Sequence, residues 1–217
     1  MLAVLLAAGQ GRRLGRGIPK CLLEIGGKTL LSRHLEALEG FEVTVVVGYR
    51  KEMILERLPR GIEVRVNDRY REGSILSMAC GLSDEETLFM DADVLYDPGL
   101  LRRLAGSPDP VAFLLDPRSA FTGEEMMLGV RGGYVREVGR GLSGSWDLVG
   151  ETVGFTKVSA AAELRRAIED VGDPGAEYEA ALDLLVRRVP AGIVLVDRPW
   201  MEIDFPEDLD RAMELHR

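Results

Sequence analysis

The sequence predicts an α/β protein: a three-layer α/β/α sandwich with a mostly parallel central sheet and an inserted β-hairpin and helical region in its second half. Three observations predict it. Short apolar runs recur at Met1–Ala7, Glu42–Val47, Ile62–Val66 and Thr87–Met90, the pattern of strands buried on both faces. Segments of helical spacing alternate with them. A glycine-rich turn, Gly9-Gln10-Gly11, follows the first run, and open parallel sheets bind ligands beyond the carboxyl ends of their strands.

The elements follow in order. After the first strand, Leu22–Ile25 is a short extended piece. Thr29–Leu38 carries Leu30, Leu31, Leu35 and Leu38 at helical spacing and stops at Gly40. Glu42–Val47 is the second strand, and Lys51–Leu58 a helix stopped by Pro59. Ile62–Val66 alternates as a strand does. Ser74–Leu82 reads as a helix with Ser74 as its N-cap. Thr87–Met90 ends in Asp91-Ala92-Asp93, and Pro98 opens the next helix, through Ala105. Beyond Pro108 the alternation changes. Val111–Leu115 is a strand, and Glu124–Val130 with Tyr134–Val138 a hairpin around Gly132-Gly133. Val149–Lys157 is a further strand. Ser159–Asp170 and Glu177–Arg188 are helices separated by Gly172–Gly175, Ile193–Val196 is a late strand, and Pro206–His216 a closing helix. The 217 residues suit one domain: a core over 1–115, an insertion over about 116–204, and a closing helix over 205–217.

Composition narrows the chemistry. Lys and Arg total 27 against 36 Asp and Glu, a formal net charge of −9, which argues against a nucleic-acid partner. Two cysteines, Cys21 and Cys80, argue against a disulfide framework and fit a reducing cytoplasm. The N-terminal apolar run is too short for a signal peptide or a membrane span. His34 and His216 read as structural.

The glycine turn is ringed by Arg12, Arg13, Arg16 and Lys20. Backbone N–H groups in such a turn form an anion-binding concavity, so strand, turn and cations together predict a phosphate site. Two common phosphate motifs fail. Gly26-Gly27-Lys28-Thr29 would need a glycine where Leu22 stands to be a Walker A loop. A dinucleotide fingerprint needs an acid at the end of the second strand, where Val47-Gly48-Tyr49-Arg50 has none.

Leu6-Ala7-Ala8-Gly9-Gln10-Gly11-Arg12-Arg13-Leu14, followed by Pro19-Lys20, resembles the signature of the nucleotidyltransferases that join a nucleoside triphosphate to a phosphorylated sugar or alcohol. The short link from Arg13 to Pro19 is similar to that of the small cytidylyltransferases. Asn67-Asp68-Arg69-Tyr70 with Gly73-Ser74-Ile75, and Glu202-Ile203-Asp204 with Asp208-Leu209, resemble segments of the phosphocholine cytidylyltransferases, although Glu72-Gly73 stands where that group often has paired asparagines. The resemblance implies a Rossmann-like fold. It also implies a Mg²⁺-dependent transfer of CMP from CTP to a phospho-alcohol, phosphocholine foremost, with release of pyrophosphate. Inositol 1-phosphate, a phosphonate and a sugar 1-phosphate are alternative acceptors. A nucleotide-binding regulatory module without turnover is the alternative from another class. CTP (or another NTP) and a small phosphorylated alcohol are the implied partners, without nucleic acid or membrane, and a homodimer is an allowed assembly.

The implied roles fall on particular residues. Arg13 and Lys20 act on the triphosphate. Leu6, Ala7, Ala8, Gly9, Gly11, Arg12, Asn67, Gly73, Ser74 and Asp91 hold the nucleotide. Asp93 and Asp204 ligate the metal, as hard oxygen donors suit Mg²⁺, though acids at a strand end or before a helix also serve as caps. The few aromatics, Trp146, Tyr178 and Trp200, lie near Glu151, Glu179 and Glu202 in the sequence. With Tyr70 they are candidates for the acceptor wall, since aromatic faces and carboxylates make a cage for a quaternary ammonium. The same residues equally fit packing of the insertion against the sheet.

Overall fold

The computed structural model describes residues 1–119 and 121–215. In chain order the strands are β1 (Leu2–Ala7), β2 (Glu24–Ile25), β3 (Lys28–Thr29), β4 (Glu42–Val47), β5 (Glu63–Val66), β6 (Thr87–Asp91), β7 (Val94–Tyr96), β8 (Val111–Asp116), β9 (Met127–Arg131), β10 (Tyr134–Gly139), β11 (Leu148–Val158), β12 (Ala191–Leu195) and β13 (Trp200–Glu202). The helices are α1 (Leu30–Ala37), α2 (Lys51–Leu55), α3 (Ser74–Gly81), α4 (Pro98–Ala105), α5 (Ala161–Val171), α6 (Glu179–Val186) and α7 (Pro206–Leu215). His216, which the sequence places in the closing helix, lies outside the described residues.

Nine strands form one sheet, with the path β10-β9-β11-β6-β1-β4-β5 and with β8 and β12 joined through β11. The pairings make β1, β4, β5, β6, β8, β9 and β12 run one way and β10 and β11 the other, the mostly parallel sheet that the sequence predicts. β1 shows why its residues are apolar throughout. Leu2 and Val4 face a core shared with Ile75 and Met78 of α3, Leu164 of α5 and Leu182 of α6. Ala3, Leu5 and Ala7 face a second core with Leu31, Ile54, Leu100 and Leu104. Side chains alternate across a strand, so a run covered on both faces has no polar position to spare.

The caps refine the sequence reading. Thr29 caps α1, its side chain accepting the Ser32 N–H at 3.0 Å, and Asp97 caps α4 with Pro98 in the first turn. Ser74 is not the cap of α3. Gly73 holds that place, and Ser74 is the first helical residue, its hydroxyl turned to another segment.

Three features position the site. β11 pairs with β9 over Leu148–Glu151 and with β6 over Phe155–Val158, and its register against β8 shifts between Thr152 and Thr156. The sheet therefore opens between the ends of β6 and β9. β7 and β13, too short to be read from periodicity, form a separate antiparallel ribbon. A third cluster, Leu14, Leu23, Ile25, Leu30, Ile203 and Leu209, seats the glycine turn against α7. Among the described residues no helix is long and apolar enough to cross a membrane. Cys21 and Cys80 are both free thiols.

Candidate active site

The ends of β1 and β6, the start of α3 and the β7–β13 ribbon surround a cleft of about 490 Å³. Leu6, Ala7, Ala8, Gly9 and Gly11 form its floor. Gly11 has φ +55, and a Cβ there would lie 2.9 Å from Lys20 Cγ. Only a residue without a side chain lets Lys20 lie across the turn. The Ala92 N–H donates to the Leu6 carbonyl at 3.3 Å, which ties the Asp91–Asp93 segment to the floor.

The ribbon brings the two acidic segments together. Glu202 pairs with Val94, and the Ile203 N–H donates to the Asp93 carbonyl at 3.0 Å. Lys20 Nζ then donates to Asp93 Oδ2 at 2.7 Å and to Asp204 Oδ1. Arg13 Nη2 lies 2.5 Å from Asp204 Oδ2, and its guanidinium covers the Phe205 ring at 5.2 Å. Capping of α7 falls to another acid: Asp208 Oδ2 accepts the N–H groups of Asp204 and Phe205 at 3.1 and 2.8 Å. The Asp204 carboxylate is thereby left to the cleft.

The electrostatics follow from this crowding. Burial alone would lower the Lys20 ammonium, but Asp93 and Asp204 outweigh it and hold it above its ordinary value. Asp93, Glu202 and Asp204 each bring an oxygen within 4.8 Å of the other two. Glu202 is exposed at the cleft mouth while its carboxyl turns inward, and burial of that group with the charges of Asp93 and Asp204 pushes it up to about 8. Burial pushes Glu179 up to about 7. Burial, then the charge of Asp93, raises Asp91 well above the usual carboxylate range. Cys21 lines the cleft with its thiol pushed up to about 12 by burial, so it stays neutral.

Tyr70, Gly73, Ser74 and Asp91 line the same cleft, as do Tyr178 and Glu179. Tyr178 is only 7% exposed, and its hydroxyl donates to Asp91 Oδ2 at 2.5 Å. Five residues that the sequence nominates lie elsewhere. Arg12 is exposed and donates to Gln10 at 2.8 Å. Asn67 is buried beneath the cleft, where it donates to Ser77 Oγ at 3.0 Å and accepts the Arg69 N–H. Trp200 points away, its indole N–H donating to Asp116 Oδ2 at 2.9 Å. Glu151 sits opposite Asp116 in the sheet, with its carboxyl raised, chiefly by burial. Trp146 lies on the face of Gly129 under the Arg131 guanidinium, 4.9 Å from its ring centroid. A three-aromatic cage therefore does not assemble. A buried indole seeks a hydrogen-bond partner and packing area; Trp200 finds both, through Asp116, whereas Trp146 finds packing against Gly129 and Arg131 while its indole N–H is buried without a partner.

Sequence reasoning missed three groups, Ser77, Arg140 and Gly154, and noted Glu177 only as an acid beside Tyr178. Ser77 lines the cleft one turn after Ser74, and helical spacing within α3 was the signal that could have found it. Arg140 and Glu177 pair at the cleft rim, Arg140 Nη2 to Glu177 Oε1 at 3.0 Å. They lie 37 residues apart, and nothing local marks Arg140 or the pairing. Gly154, at the shift in β11, has φ +77, and a Cβ there would lie 2.4 Å from Asp91 Oδ2. A glycine inside a strand was the available sign of a bulge.

Residues 3–176 match the MobA-like NTP transferase domain family. The 2-C-methyl-D-erythritol 4-phosphate cytidylyltransferase of Deinococcus radiodurans is 31% identical over 221 residues, covering 98% of this chain and 88% of that protein. The CMP-5'-(3-aminopropyl)phosphonate synthase of Streptomyces rubellomurinus is 33% identical over 124 residues, or 51% of this chain; the match spans 20% of that longer protein. In fold, the chain is similar to the CTP:phosphocholine cytidylyltransferase of Streptococcus pneumoniae, with a TM-score of 0.78 at 20% identity, covering 100% of this chain and 99% of that one. The family match over residues 3–176 and the identity to the Deinococcus radiodurans protein across most of both chains lead to one conclusion: the chain belongs to the MobA-like NTP transferase domain family, a family of nucleotidyltransferases.

Proposed function

We propose that the protein is a Mg²⁺-dependent cytidylyltransferase that moves CMP from CTP to the phosphate of a small phosphorylated alcohol and releases pyrophosphate. The observation that carries this reading is the cluster of Lys20, Arg13, Asp93 and Asp204 at the edge of the glycine turn. An acceptor phosphate oxygen is already a nucleophile, so the chain needs no covalent intermediate. Its task is position and charge. The turn from Leu6 to Gly11, with Gly73 and Ser74, holds the nucleotide. Lys20 and Arg13 neutralise charge that develops on the triphosphate. Asp93, Glu202 and Asp204 present three hard oxygen donors around one point, a set that fits Mg²⁺. Bound there, Mg²⁺ would supply Lewis-acid polarisation of phosphate oxygens. Residues 1–115 serve the nucleotide and about 116–204 the acceptor.

For the acceptor, Tyr70, Tyr178, Glu179 and Glu202 form a wall of two rings and two carboxyls, which suits a cationic head group such as that of phosphocholine. A neutral polyol phosphate is the second reading. It is favoured by the two indoles that lie outside the cleft and by the relative from Deinococcus radiodurans. Pyrophosphate release with CTP and Mg²⁺ over a panel of phosphocholine, 2-aminoethylphosphonate, inositol 1-phosphate, 2-C-methyl-D-erythritol 4-phosphate and glucose 1-phosphate tests both. Turnover restricted to cationic acceptors supports the first reading, and turnover restricted to polyols supports the second. Binding of CTP without turnover on any acceptor would remove the enzyme reading.

A further inference from the structure

The two walls of the cleft are joined by one run of contacts. The space beside Gly73 is filled by the backbone of a distant segment: a Cβ there would lie 2.3 Å from the Ala176 carbonyl oxygen and 2.6 Å from that of Pro174. The Ala176 carbonyl accepts the Ile75 N–H at 3.2 Å, satisfying one of the donors that the first turn of α3 leaves open. Two residues on, the Tyr178 N–H donates to Ser74 Oγ at 2.9 Å. Tyr178 then turns into the cleft and donates its hydroxyl to Asp91, whose carboxyl rests against Gly154. Tyr178 is buried, Gly73, Asp91, Gly154 and Ala176 are half-buried, and Ser74 is exposed at the cleft. Ser74 thus stands at the nucleotide end of this run, and Asp91, which the sequence nominates for the nucleotide, is bonded instead to Tyr178 of the proposed acceptor wall. Tyr178 lies just past residue 176, where the family match stops.

We infer that Ser74 and Tyr178 are positioning residues that couple the two ligand sites. A nucleotide seated at the start of α3 fixes Ser74, Ser74 fixes residues 173–179, and Tyr178 fixes the Asp91 carboxyl that faces the acceptor. The inference rests on the transfer reading above and adds to it a coupling free energy, which by linkage must be reciprocal: the acceptor tightens CTP by the factor that CTP tightens the acceptor.

Hydrogen exchange on the full chain tests the link without needing turnover. Addition of CTP is expected to slow exchange at residues 173–179 by about tenfold. Measured at a CTP concentration that saturates each variant, Ser74→Ala is expected to lose that protection, and Ser74→Thr, which keeps a hydroxyl, to retain it. In steady state, Tyr178→Phe is expected to raise KM for the acceptor about tenfold, the worth of one hydrogen bond to a carboxylate, with KM for CTP within about twofold. A purely structural role would move both KM values together. Equal rises in both, or protection undiminished in Ser74→Ala, would overturn the inference. Protection by CTP in a protein that turns over no acceptor would instead sink the transfer reading and leave the link standing.

Discussion

The two walls of the cleft are built by different means. In the proposed reading the nucleotide wall comes from the ends of β1 and β6, held by ladder bonds in the sheet, and from the start of α3, held by the Ala176 carbonyl. The wall proposed for the acceptor comes from the loops around Arg140 and Glu177, the segment before α6 and the β7–β13 ribbon. It is assembled from side-chain pairs such as Arg140–Glu177 and Tyr178–Asp91. One wall is set by strand register, the other by packing between segments far apart in sequence. Changes to the first should therefore act on the chemistry, and changes to the second on fit and stability.

The largest effect is expected where the walls meet. Asp93→Asn keeps the shape of the side chain but removes one charge from the Lys20 and Glu202 neighbourhood. Loss of kcat by a hundredfold or more is expected, with an unchanged far-ultraviolet spectrum. Near-normal rates would remove Asp93 from the reaction. Gly154→Ala comes next. It forces a side chain into φ +77 and against Asp91 Oδ2, and a loss of about 1–3 kcal/mol in urea unfolding is expected. An unchanged midpoint would show that β11 relaxes freely at its shift.

A smaller effect concerns pH. The carboxyls of Glu179 and Glu202 are raised to about 7 and about 8 in the folded chain. Between the ordinary carboxylate range and pH 8 the folded state therefore holds more protons than the unfolded state. The stability these groups contribute is full below about pH 4.5 and is lost as pH rises through 7 to 8. Melting temperatures across that window should fall less steeply in Glu202→Gln and Glu179→Gln. Mg²⁺ needs the ionised carboxylate, so its stabilising effect should grow over the same window. The smallest effect sharpens the comparison most. Trp146→Phe and Trp200→Phe should leave the acceptor KM within about twofold, while Trp200→Phe should cost about 1 kcal/mol of stability through the lost bond to Asp116. A tenfold rise in KM for either would put an indole back in the cleft.

Legibility in the sequence divides along the same line. The glycine turn, Asp91–Asp93 and the strand–helix alternation were readable because each is local: composition and spacing within a dozen residues decide them. The mixed roles of Glu202-Ile203-Asp204-Phe205 were readable only in part. Extension put Glu202 and Asp204 on one face, but that Asp208 rather than Asp204 caps α7 depends on backbone geometry. Ser74 misled because serine before a helix is a common cap; with Gly73 in that position, its hydroxyl was free for Tyr178. Trp200 misled because its neighbours in sequence are acids, whereas its partner, Asp116, lies 84 residues away.

β11 has a consequence for how the chain is made. Its 11 residues supply the neighbour of β6 on the side away from β1, and also the neighbour of β8 and β9. Until residue 158 has left the ribosome, β6 presents an open, apolar edge while some 65 further residues are synthesised. At about 5–20 residues per second that interval lasts several seconds. During synthesis the nucleotide half is thus a nascent sheet waiting for its closing strand, and a partner able to shield an exposed β6 edge should raise the yield of folded protein more than one acting after release.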